Sequence, residues 1–171
     1  MMMKQRRSML YVQLGSSLIE VLVALLVLSG DMLGIAGVQS VSLRNNQAAY
    51  FRTQATMLTS EIIERMRANK IAVGNGGYDD ATGSATAACF TTAGCTAAQM
   101  AEQDIFDWDA DLAAALPGGQ GIVCLDDTGN DGTAAAPACS GTGTIYVVKI
   151  FWDDNRDGTA NQRLTTNWRP L

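Results

Sequence analysis

Apolar residues crowd one end of the chain. From Ser16 to about Val38 they run almost without a break, with Glu20 and Asp31 the only charges among them. As a helix, those 23 residues would span about 35 Å, enough to cross a bilayer core of about 30 Å. From Val38 to about Lys70 the pattern turns amphipathic. Val41, Ala48, Ala55 and Ile62 recur every seven residues, with Phe51 and Leu58 three positions after two of them, while Arg44, Asn45, Arg52, Glu61, Glu64, Arg65 and Arg67 take the other faces. So short a heptad reads as a stripe packing on the chain's own head rather than as a coiled coil. Asn75-Gly76-Gly77 ends the run, so the pattern predicts one helix from Ser16 to Lys70, about 80 Å long. That is a stalk, half in a membrane and half under a head.

Past Gly76 the period changes. Tyr78 to Ala98 reads as a Thr/Ala/Gly-rich loop, and Thr96-Ala-Ala-Gln99 as a capping box opening a helix. Ala101, Ile105, Trp108, Leu112 and Leu116 then share one helical face, with Asp104, Asp107, Asp109 and Asp111 on others as a solvated surface. Pro117-Gly118-Gly119 terminates it. Gly121–Leu125, Thr144–Trp152 and Gln162–Trp168 read as strands, the second carrying β-branched and aromatic residues on both faces. A long N-terminal helix laid on a small antiparallel sheet is an α+β architecture. The expected divisions are 1–15 as a basic leader, 16–38 as the apolar half of the helix, 39–75 as its amphipathic half and 76–171 as the head.

Charge adds a direction. The chain has 12 basic and 17 acidic residues, net −5, which argues against a nucleic-acid surface. Lys4, Arg6 and Arg7 are the only charges before the apolar segment, so the residues beyond that segment are expected outside the cytoplasm. There is no histidine. That excludes an imidazole acid–base dyad, a Ser-His-Asp triad and the usual His-containing zinc site. No nucleophile–base pair and no phosphate-cradling glycine loop followed by lysine is present either, so the chain does not read as an enzyme and implies no cofactor.

A secretory signal peptide would have a shorter apolar core with a small-x-small site after it; the nearest approximation here is Gly34-Ile-Ala-Gly37. A plain anchor explains the apolarity but not Glu20, since a carboxylate near a membrane centre costs about 2.5–3.5 kcal/mol. Asp31 lies eleven residues on, about 20° past three full turns, and therefore on the same helical face as Glu20. It reads either as a secondary polar contact or, beside Gly30, as a wet residue near the outer interface, the simpler account. Gly30, Gly34 and Gly37 read as weak points of the helix, with close helix packing as the second reading.

The basic leader, Gly15, and then Ser16-Ser-Leu-Ile-Glu20-Val-Leu-Val-Ala-Leu25 resemble the class III signal peptide of the type IV pilin family. The resemblance implies that a prepilin peptidase cuts after Gly15 and N-methylates Ser16, keeping the apolar segment as anchor and filament core. It also implies that Glu20, the fifth mature residue, docks on the amino terminus of a neighbouring subunit. The chain departs from the family at Ser16-Ser17, where Phe-Thr is usual, and at Asp31. Trp108–Cys124 and Tyr146–Asp154 also look like minor pilins. The implied partners are other minor pilins, the major pilin, the prepilin peptidase and the inner-membrane assembly machinery. The implied location is the inner membrane with a periplasmic head, then the pilus, serving adhesion or twitching. A type II secretion pseudopilin and an extracytoplasmic binding receptor on a simple anchor are the alternatives.

Cys89, Cys95, Cys124 and Cys139 all lie in the head, and an outside location permits disulfides. Four cysteines allow three connectivities. Sequence neighbours close the cheapest loops, giving Cys89–Cys95 and Cys124–Cys139, with Cys89–Cys139 plus Cys95–Cys124 the main rival. No Cys-x2-Cys spacing suggests a metal. Asp153, Asn155 and Asp157 fit the first half of a calcium loop, and Asp127 to Gly132 fits less well. The twelfth position of the first is Leu164 instead of glutamate, and strand turns favour Asp, Asn and Gly in any case.

Overall fold

A computed structural model describes residues 17–170. The chain divides into two compact units, one through Arg44 and one from Asn45 onward. Helix α1, Leu18–Ala68, contributes to both.

Within the first unit α1 runs unbroken through Gly30, Gly34 and Gly37. Leu18, Ile19, Val21, Leu22, Leu25, Leu26, Leu33 and Ile35 are all exposed there. Among the described residues α1 is the one helix long and apolar enough to cross a membrane. One polar side chain there folds back on the helix: Ser29 Oγ donates to the Leu26 carbonyl at 2.8 Å.

The second unit holds the core. Along α1 the buried stripe is Phe51, Ala55, Leu58, Thr59, Ile62, Ile63 and Met66. This is the amphipathic half expected from the heptad, but it starts later. Val41 is exposed and Ala48 only half-buried. The helix also stops two residues early. Asn69 caps a short second helix, α2, Lys70–Gly74, its Oδ1 accepting from the Ala72 N–H at 3.4 Å. The following segment includes a single 3₁₀ turn, Ala87–Phe90, which the loop composition did not announce. Helix α3 spans Ala97–Ala115 behind the expected capping box of Thr96 and Gln99.

Three strands complete the chain, β1 Gln120–Leu125, β2 Tyr146–Trp152 and β3 Gln162–Trp168, in the antiparallel order β1-β2-β3. β2 begins at Tyr146 rather than Thr144. All seven of its residues are buried. Side chains alternate across a strand, so Tyr146, Val148, Ile150 and Trp152 face the core shared with α1 and α3. Val147, Lys149 and Phe151 point to the other face, together with Cys124, the register partner of Val147. The core is fastened by two aromatic donors: Trp108 Nε1 bonds the Leu58 carbonyl at 2.9 Å and Tyr146 OH the Val73 carbonyl at 3.0 Å. The free edge of β1 is closed by Asp79 and Asp80, the first accepting from Leu125 N at 2.7 Å and the second donating from its backbone to Val123 O at 2.9 Å.

Gly121 shows how close α3 comes to β1. A methyl group there would run into the Trp108 ring and the Leu112 side chain. Gly121→Val is therefore expected to lower head stability by about 1–3 kcal/mol through overpacking, read by urea unfolding followed by tryptophan fluorescence. Gly74→Ala, facing open space, is expected to change it by less than about 0.5 kcal/mol.

Candidate functional site

The residues singled out by sequence fall in three places. Gly15 and Ser16 lie outside the described residues. Glu20 sits in the first turn of α1, its backbone N–H bonded to the Ser17 carbonyl at 2.9 Å. Asp31 lies eleven residues further along the same helix, about 16 Å away by helical rise. It shares a groove with Gly30, Gly34, Ile35, Val38 and Gln39, which the missing glycine side chains open. The structure thus does not join the two acids into one site; it spaces them along one face.

The cysteines pair locally. Cys89 is bonded to Cys95 with Cα atoms 4.6 Å apart, and Cys124 to Cys139 at 6.0 Å. Asp153 spends both carboxylate oxygens on its own turn, accepting from Asp157 N at 3.3 Å and Gly158 N at 2.7 Å. Asn155 Nδ2 donates to Asp157 Oδ2 at 2.8 Å and Asn161 Nδ2 to Asn155 Oδ1. Among the described residues no three acidic, Cys or His side chains form a metal-holding group.

Two charge clusters were not visible in the sequence. The first corrects the reading of the α3 acids as wholly solvated. Asp104 is buried. Its Oδ2 accepts from Tyr78 OH at 2.5 Å and its Oδ1 lies 3.4 Å from Arg65 Nη1, which also reaches Asp107 Oδ2 at 3.5 Å. Arg65 pairs with Glu61 at 2.7 Å as well. Burial, then the Asp104 carboxylate, pushes the Tyr78 phenol well above its ordinary value, so it stays a donor.

The second cluster lies on the far face of the sheet. Lys149, in the middle of β2, is wholly buried. Its ammonium donates to Asp131 Oδ1 at 2.9 Å, Pro137 O at 2.8 Å and Ala138 O at 3.2 Å, and Asp126 Oδ2 lies 2.6 Å away. Asp126 is itself held by Thr128, whose N–H and hydroxyl bond Oδ1 at 3.0 and 2.7 Å. The loop between Asp126 and Cys139 therefore wraps a cation that belongs to the chain. Gly132 makes the wrap possible: it takes φ +82°, and a methyl group there would strike the Pro137 carbonyl. From β3, Arg163 straps the loop by donating to Gly132 O and to Asn130 O at 3.0 Å. Burial opposes ionisation of Asp126, but the Lys149 ammonium and the Thr128 donors outweigh it and hold the carboxyl down to about 2. Burial likewise works against the Lys149 charge, and the two aspartates reverse it, leaving Lys149 above its ordinary value. A lysine flanked by Val, Ile and Phe in a strand was the available clue.

Residues 37–106 match a family described as Tt1218-like, Type IV pilin Tt1218. The matched stretch runs from α1 through α2 and the Cys89–Cys95 loop into α3. No curated protein and no solved structure matches the chain.

The cluster makes a pH signature. Because Asp126 is more acidic folded than unfolded, the stability it contributes is present above about pH 4 and is lost as pH falls through about 2. Lys149→Met leaves Asp126 buried without its cation and is expected to cost about 3–5 kcal/mol. Lys149→Met with Asp126→Leu is expected to recover most of that loss. Urea midpoints from pH 7 to pH 2 check both, the double variant losing the acid limb that belongs to Asp126.

Proposed function

We propose that this chain is a non-enzymatic type IV pilin, a minor pilin resembling PilV, the type IV pilus modification protein. The feature that carries the reading is helix α1: exposed and predominantly apolar through its first part, then buried along one stripe from Phe51 onward. Apolar surface of that extent needs lipid or other helices around it. A membrane-stored subunit that moves into a helical filament core meets both needs with one segment. The match of residues 37–106 to a type IV pilin family supports it.

In this reading residues 1–15 are a leader removed at Gly15, Ser16 becomes the N-methylated amino terminus, and 16–38 anchor the subunit in the inner membrane with the head in the periplasm. Glu20 supplies register. A carboxylate in an apolar surround is stabilised by a cation of matching depth, and the amino terminus of an adjacent subunit is such a cation. Asp31, beside Gly30 and in an open groove, is the wetter of the two acids. Other minor pilins, the major pilin and the inner-membrane assembly machinery are the partners, with adhesion or twitching as the outcome.

Glu20→Ala is expected to insert and fold normally yet to fall by roughly tenfold or more in sheared pili and in complexes with partner pilins, a loss of about 1.4 kcal/mol or more in docking. Asp31→Ala is expected to assemble nearly as wild type. Co-purification of each variant with pili measures this. Normal incorporation of Glu20→Ala would overturn the docking mechanism.

A further inference from the structure

Counted from Asn45, the chain carries 15 acidic and eight basic residues, so two heads repel unless oriented. Half of these cations are spent internally: Arg65 on Glu61, Asp104 and Asp107, Arg67 on Glu64, Lys149 on Asp126 and Asp131, and Arg163 on loop carbonyls. Among the described residues the other four, Arg52, Lys70, Arg156 and Arg169, have no acidic partner, and two of them, Lys70 and Arg169, open on one groove of about 500 Å3. Its floor is Met66, Val73 and the half-buried Trp168, and Arg67 completes the rim. The groove is an apolar slot at the end of β3, bordered by the free cations Lys70 and Arg169 and by Arg67, which is paired with Glu64.

The complementary surface is on the same chain. On α3, Glu102, Phe106 and Asp109 fall within one narrow stripe by helical spacing, and all three are exposed, Phe106 by 43%. Neither Glu102 nor Asp109 has a cationic partner among the described residues. An aromatic ring between two carboxylates is the shape and charge the groove accepts. The two surfaces are separate on one head, since none of Glu102, Phe106 and Asp109 lines the groove. α3 packs on β1 and on α2, while the groove lies between α2 and the end of β3.

We propose that heads associate head to tail, the groove formed by Lys70, Arg169 and Trp168 of one copy receiving the Glu102–Phe106–Asp109 face of α3 from a second copy. A contact of unlike surfaces repeats without closing unless its rotation closes a ring. It is small, so it forms transiently and is best trapped covalently.

The test uses the full chain in detergent micelles, mixing isotopically light and heavy copies, with a photoreactive phenylalanine analogue at position 106. Illumination is expected to give light–heavy crosslinks landing in the peptides 67–74 or 168–170. Lys70→Glu with Arg169→Glu is expected to cut their yield at least fivefold, as is about 1 M salt. Adding Glu102→Lys and Asp109→Lys to that same chain is expected to restore the yield, which shows that the charge-reversed heads are folded. Crosslinks landing elsewhere or only within one copy, a yield indifferent to charge reversal, or failure of the four-fold variant to recover would overturn the proposal.

Discussion

A strand buried on both faces in a sheet of only three strands is the constraint the head is built around. All of Tyr146–Trp152 is shielded, and helices cover just one side. The other side is covered by a loop, which has no hydrophobic stripe with which to stay down. A disulfide at Cys139, the guanidinium of Arg163 and above all the ammonium of Lys149 hold it in place. A lysine at the centre of a buried strand is costly unless every proton is accepted and the charge is matched. Asp126, Asp131 and the carbonyls of Pro137 and Ala138 do both, and in doing so dictate the path of the loop. The disulfide, closing a loop of modest length, adds about 2–4 kcal/mol.

The first part of α1 poses the opposite problem, apolar surface left exposed among the described residues. On the proposed pilin reading, the requirement for a covering links this segment to assembly, because either lipid or neighbouring helices satisfy it. On that reading, two carboxylates on one face of such a helix are the positions at which charge selects a register. Gly30, Gly34 and Gly37 leave open space beside Asp31 rather than a break in the helix.

Much of this architecture could be read from the chain. Period and punctuation located α1, α3 and all three strands within a few residues, since Thr96/Gln99, Pro117-Gly118-Gly119 and the Val/Ile/Phe/Trp run of β2 are strong local signals. The five apolar positions named along α3 and at its C-cap, Leu116, are all buried. Local signals said less about features that depend on distant partners. Val41 follows the heptad yet is exposed, and Asp104 resembles Asp109 in sequence yet is turned inward by Tyr78 and Arg65. The Lys149 cluster joins residues from positions 126 to 149 through a loop whose composition resembles any acidic turn. Its calcium-like look has a physical basis: an ammonium and a metal ion call for similar oxygen-rich surroundings, and here the cation was already in the chain.

Assembly by this route turns on where the mature chain begins, because only removal of the basic leader ahead of the apolar segment leaves that segment in place with an amino terminus for a neighbour's Glu20. Intact-mass and N-terminal peptide analysis of the chain recovered from sheared pili measures this directly. A chain that starts at Ser16, with one added methyl group, is the expected result, and Gly15→Val should arrest the chain at full length in the membrane. A mature protein in pili that retains Lys4, Arg6 and Arg7, or one cut on the far side of the apolar segment, would contradict it.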